Sequence, residues 1–145
     1  MTSELSLFPT LVTTGILVLL VIGIHYEGLL LVSNALERLQ VVGRPRVGLA
    51  VLGALGAHLI EVLSFALGIQ LLLGMGEGGL SGPHDAFLDI VYFSFTVYTT
   101  LGFGDILPAG PLRLLIGVES LAGLVMIAWT ASFSFMEMQR YWGRD

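Results

Sequence analysis

The sequence predicts an all-α membrane protein with three transmembrane helices and a fourth, shorter helix that enters the membrane without crossing it. Two observations carry that expectation. Apolar residue types make up 55% of the 145 residues and charged types only 12%, with a mean hydropathy of +0.90; a soluble domain carries about twice that charge. The apolar residues also gather into three runs long enough to cross hydrocarbon, which takes roughly 20 residues, and one of about 13 that is not. This composition excludes a soluble globular enzyme. It also excludes disorder, which needs low hydrophobicity and high charge, and nucleic-acid binding, which needs a basic face. Cysteine is absent, so disulfides, thiolate zinc sites and cysteine nucleophiles are excluded, and all six basic residues are arginine.

The first run extends from Leu7 to Ser33. A secretory signal begins with a basic segment, whereas residues 1–10 contain Glu4 and no arginine. No small-residue cleavage site follows, so a retained helix is expected. The second run, Val47 to Leu73, opens on Gly48, Ala50, Gly53, Ala54, Gly56 and Ala57, small residues that suit close contact between membrane helices. The 74–85 linker is flexible loop chemistry. Its Gly74, Gly76 and Gly79 match G-x-G-x-x-G, but a dinucleotide site needs a strand before and a helix after, and neither is expected. Asp85 stands where an N-cap would, before the short run Ala86 to Tyr98.

The third long run, Leu112 to Met136, contains Gly117 and Gly123. Gly123 reads either as a hinge or as a site of close helix packing. Between Trp129 and Phe135 a bulky aromatic could narrow a pathway or face lipid, and Tyr141 and Trp142 suit an interfacial belt. About ten residues follow Phe135, too few for a cytoplasmic sensing domain within this sequence. No helix carries arginine every third residue, so no voltage sensor is expected.

The arginines set an orientation. Arg38, Arg44 and Arg46 lie between the first two long runs, Arg140 and Arg144 follow the third, and only Arg113 lies elsewhere. The positive-inside rule then places the 34–46 loop and the C-terminus in the cytoplasm, and the N-terminus and the 74–111 region outside, in a cell membrane.

The stretch Thr96-Val-Tyr-Thr-Thr-Leu-Gly-Phe-Gly-Asp105 carries the chemistry. A cation leaving water needs replacement oxygens, and backbone carbonyls supply rings of them when several subunits surround an axis. Gly102 and Gly104 open backbone conformations closed to other residues, so consecutive carbonyls can turn inward. The Thr100 hydroxyl can add another ring, and the short helix would aim its negative C-terminal end at the ion. Irregular backbone at membrane depth is tolerated where it lines a watery path.

Thr100-Leu101-Gly102-Phe103-Gly104-Asp105, preceded by Thr99, resembles the selectivity filter of potassium channels. The resemblance runs from about residue 85 to 140, through the pore helix (Tyr92-Phe93-Ser94-Phe95) and Pro108 into an inner helix, and is greatest to short bacterial channels of the two-helix pore class. It implies a pore module over 47–145, preceded by an N-terminal helix and loop over 1–46. It implies a homotetramer in lipid that conducts K⁺ passively, with ion sites from Thr100 to Gly104 and Asp105 anchoring the outer end. Three departures stand out. Leu101 replaces a β-branched residue, Phe103 replaces the commoner tyrosine, and Thr96 stands where some relatives carry a carboxylate that partners the filter aspartate. No organic cofactor, nucleic acid or enzymatic activity is expected. A weakly selective cation channel and a non-conducting membrane sensor are the alternatives.

Five ionisable residues fall within the runs: His25, Glu27, His58, Glu61 and Glu119. Each is expensive there, by roughly 2.5–3.5 kcal/mol if charged. His25 and His58 fall at similar depth in an antiparallel hairpin, and His58 and Glu61, three apart, share a helix face. His25 and Glu27 are two apart and point differently, so only one is expected to join them. The cluster reads as a hydrogen-bonded brace, a proton-sensitive switch, or a divalent metal site using His58 and Glu61. Glu119 reads as a brace behind the filter or as a cavity charge. His84 reads as a solvated loop residue.

Overall fold

A computed structural model describes residues 2–142; the side chains of residues 2–6, Tyr141 and Trp142 lie outside the described part. The aromatic belt assigned to Tyr141 and Trp142, and the charge of Arg144, therefore fall outside it. Helix α1 spans Thr2–Arg38, α2 Arg44–Gly74, α3 Phe87–Tyr98 and α4 Leu112–Trp142. Three of these are long and apolar enough to cross a membrane: Leu7–Arg38, Arg44–Gly74 and Leu112–Arg140. The protein is an all-α membrane protein.

The long helices overrun the apolar runs because their polar ends also adopt helix, with Arg38 and Arg140 in the last turns of α1 and α4. There they complement the carbonyl end of the helix dipole. Pro45 sits in the first turn of α2, where its missing N–H costs nothing. α1 and α2 pack against each other, α4 packs on both, and the short α3 lies between α2 and α4.

The small residues opening α2 are used selectively. Ala50, Ala54 and Ala57 are buried. Gly53 receives Val32 of α1 so closely that a Cβ there would collide with it, whereas Gly48 and Gly56 face open space. The hairpin is thus seated along one α2 face, as side-chain contact at 3–4 residue spacing requires. Around it are two apolar clusters. The larger holds Val62, Phe65, Ile69, Tyr98, Leu112 and Leu115. The smaller, nearer the arginines, joins Leu29, Leu36, Ala50, Ala54 and Phe133.

Two features depart from the sequence expectation. Asp85 does not cap α3: the cap is Ala86, whose N–H donates to the Asp89 carboxylate at 3.0 Å. A carboxylate three residues inside the helix reaches back to that N–H, as in one half of a capping box. The loops on either side of α3 also form a small antiparallel ribbon, β1 (Gly79–Ser81) with β2 (Leu107–Ala109), pairing Leu80 with Pro108. Pro108 sits at an edge, where no ladder N–H is needed. Gly79 is thus in a strand and not in a phosphate-binding turn.

Candidate functional site

The loop from Thr99 to Asp105 is exposed throughout, Leu101 at 64% and Phe103 at 65%. Its backbone alternates in hand. Thr100 (φ 62°), Gly102 (φ 52°) and Gly104 (φ 80°) have positive φ, while Leu101 and Phe103 between them do not. In an extended strand all residues share one hand and successive carbonyls point to opposite sides. Reversing the hand at every second residue brings them to the same side. Glycine accepts that reversal freely, whereas at Thr100 it costs roughly 1–2 kcal/mol. The geometry is held where α3 ends: the Thr100 N–H donates to the Val97 carbonyl at 2.9 Å and the Gly102 N–H to the Thr96 carbonyl at 3.0 Å.

The loop is braced from behind and at its Asp105 end. Thr96 is buried, and its hydroxyl donates to the Phe93 carbonyl at 2.8 Å. Thr96 therefore supports the loop through its backbone and does not reach Asp105. Tyr92 takes that part: its hydroxyl donates to Asp105 at 2.9 Å, and its ring stacks with Phe103 at 6.4 Å between centroids. Donation to the carboxylate holds the Tyr92 hydroxyl above its ordinary pKa, so it stays a donor at physiological pH. Gly82 (φ 97°) lies against the Asp105 carbonyl so closely that a Cβ there would overlap it, which joins the outer loop to the same end. The Thr99 hydroxyl donates to the Phe95 carbonyl at 2.7 Å.

Glu119 is fully buried in α4, and the Ser94 hydroxyl of α3 bonds its carboxyl while lying 3.0 Å from the Val62 carbonyl of α2. A carboxyl enclosed in this way ties α4 to α3 and, through Ser94, to α2.

The second constellation lies at the Thr99 end of the loop, reached through Tyr98. Glu61 is fully buried at its centre. Its Oε1 lies 2.9 Å from His25 Nδ1, its Oε2 lies 3.1 Å from His58 Nδ1, and the Tyr98 hydroxyl donates to Oε2. The Tyr98 hydroxyl is also 2.9 Å from His58 Nδ1, and the far nitrogen of His58, Nε2, is 2.9 Å from the Thr130 hydroxyl. The two imidazoles are 5.2 Å apart, and Trp129 covers His25 at 5.1 Å. One hub thus joins all four helices.

Glu27 is exposed and takes no part in it, because two residues turn it far around α1 from His25. Gly123 is buried against the hub's tyrosine: a Cβ there would overlap the Tyr98 carbonyl and approach its ring to 3.0 Å. The geometry therefore favours close packing over a free hinge. Gly117 faces open space. His84, as expected of a loop residue, bonds only locally, to the Gly82 carbonyl at 2.6 Å.

The sequence reading did not single out Tyr98, Trp129 or Thr130 for the hub, or Tyr92 for the loop. A usable signal existed for the tyrosines, since a tyrosine in an apolar segment needs a partner for its hydroxyl.

Against known proteins, a family model described as ion channel matches residues 57–140, more than half of the chain. No curated protein and no solved structure matches.

Proposed function

The chain belongs to the ion channel family, and on that premise we propose that it is a potassium-selective channel working as a homotetramer. The observation that carries this reading is the alternating backbone at Thr100, Gly102 and Gly104 in a loop that is fully exposed on one chain. One such loop offers a dehydrated cation a single column of carbonyls. Four around an axis offer complete rings, and closed rotational symmetry is the ordinary way for identical chains to make them. Thr100 to Gly104 are the ion sites, and Asp105, held by Tyr92, anchors the outer end. The apolar faces of the three long helices meet lipid, and K⁺ is the only small-molecule partner the reading needs. The arginine end faces the cytoplasm and the filter end faces outward, as the positive-inside rule requires.

Flux from purified protein in liposomes tests the proposal, with Na⁺ replacing K⁺ in steps. The reversal potential is expected to follow the K⁺ gradient. A reversal indifferent to the exchange would make the pore a weakly selective cation channel. Absence of flux at every pH and tension would leave a non-conducting sensor built around the Glu61 hub.

A further inference from the structure

We propose that His25, His58, Glu61 and Tyr98 form a site for one divalent transition-metal ion of the zinc class. The proposal rests on the geometry of the hub and does not depend on which ion the pore passes.

The donor set suits such an ion. Two imidazoles and a carboxylate are ordinary zinc ligands, and a phenolic oxygen is a further hard donor. One ligand atom from each of His25, His58 and Glu61 lies within 4.8 Å of the others. Hydrogen-bonded approaches are 2.9 Å from His25 to Glu61, 3.1 Å from His58 to Glu61 and 2.9 Å from His58 to Tyr98, and the Tyr98 hydroxyl lies closer still to Glu61. Bonds of about 2.0–2.1 Å to a tetrahedral ion place its ligands roughly 3.3–3.4 Å apart. The hydrogen-bonded pairs therefore have to open, and the widest pair of ligand atoms, up to 4.8 Å apart, has to close by as much as about 1.4 Å to reach that spacing; rotatable side chains on three helices allow both movements.

The surroundings of His58 fit as well, whereas the far nitrogen of His25 is buried without a hydrogen-bond partner among the described residues. Both imidazoles present Nδ1 to the carboxylate. With Nδ1 of His58 on the ion, the proton resides on Nε2, which donates to the Thr130 hydroxyl at 2.9 Å. An outer partner of this kind fixes the tautomer and the ring plane of a ligating histidine. The His58 side chain, 14% exposed against 0% for His25 and Glu61, is the side from which an ion arrives.

The consequence is regulatory. Tyr98 is the last residue of α3, directly before Thr99 and Thr100. An ion on Tyr98, Glu61, His58 and His25 would replace the hub's hydrogen bonds with coordinate bonds and so tie α1 and α2 more firmly to the residue that precedes the Thr99–Asp105 loop.

The test uses the full chain in detergent, stripped with a chelator, dialysed against buffered Zn²⁺ and assayed for bound metal. Wild type is expected to hold about one zinc per chain. Glu61→Gln and His58→Gln are expected to hold about tenfold less or lower at the same free zinc, by analogy with the smaller losses from outer-shell changes. Glu27→Gln and His84→Gln are expected to match wild type. Co²⁺ on wild type provides a readout that needs no variant: a tetrahedral visible spectrum is expected, displaced by Zn²⁺. Wild type that takes up no zinc, an octahedral Co²⁺ spectrum, or zinc retained in Glu61→Gln would each overturn the proposal. None of these readouts involves current, so they fail or succeed separately from the potassium reading.

Discussion

Two polar networks join α1, α2 and α4, and they are built for different solvents. The hub around Glu61 is enclosed, with His25 and Glu61 at 0% side-chain exposure. The network at the arginine end centres on Glu137, which accepts from Arg46 at 2.7 Å and from Arg140 at 2.9 Å. Glu37 lies beside both arginines, at 4.0 Å and 3.5 Å. Here Glu137 is buried, but Arg140 is 55% exposed and Glu37 is 59% exposed. Like helices are thus joined twice, once in the buried interior and once at the surface.

The difference lies in what each network can lose. Where water is absent, a side chain deprived of its partner has nothing to replace it, and the full desolvation cost appears. Where water is near, it takes the partner's place, and salt screens what remains. The hub also reaches the pore helix through Tyr98, which the arginine network does not touch. Damage to the hub is therefore expected to reach conduction, and damage to the other network mainly stability.

The largest effect is expected from Glu61→Ala. It strands the His25 imidazole and leaves His58 and Tyr98 only each other and Thr130, and a loss of about 3–5 kcal/mol is expected in unfolding from mixed micelles. A loss below about 1 kcal/mol would show that the hub is wet. Gly123→Val comes next, at about 1–3 kcal/mol, since the added carbons overlap the Tyr98 carbonyl. Flux should fall with it. If Gly123→Ala folds and conducts like wild type, packing is not what this glycine serves. Glu137→Gln should cost about 1–2 kcal/mol, between a buried charged hydrogen bond and a surface pair, with flux per folded channel unchanged. Arg140→Gln is the smallest, at under about 1 kcal/mol, and the difference from wild type should shrink as salt is raised. A salt-independent loss of several kcal/mol there would erase the contrast between the two networks.

Much of the fold was legible because the bilayer sets simple requirements. Length and apolarity alone mark α1, α2 and α4, since a crossing helix satisfies its own backbone. The order of residues from Thr96 to Asp105 marks the loop of alternating backbone, because two glycines at alternate positions are the local cause of that backbone. His58 and Glu61 were legible as a pair through helical periodicity, and His25 through the depth matching of a hairpin. By contrast, Thr100 in the left-handed region follows from how α3 ends, and no preference of threonine announces it. The exclusion of Asp85 from the α3 cap was likewise decided by the reach of Asp89.

The sequence by itself determined the class of protein, the helix spans, the irregular loop from Thr99 to Asp105 and the few charges worth following, all of which depend on composition and on contacts between near neighbours. Only the tertiary structure decided which of those charges meet. It chose His25 over Glu27, brought Tyr98, Trp129 and Thr130 to the hub, assigned Tyr92 to Asp105 and pressed Gly123 against the Tyr98 carbonyl. Those partners come from different helices. Their meeting is set by how the helices are rotated and shifted against one another, and that depends on the packing of the whole bundle, which no local pattern encodes.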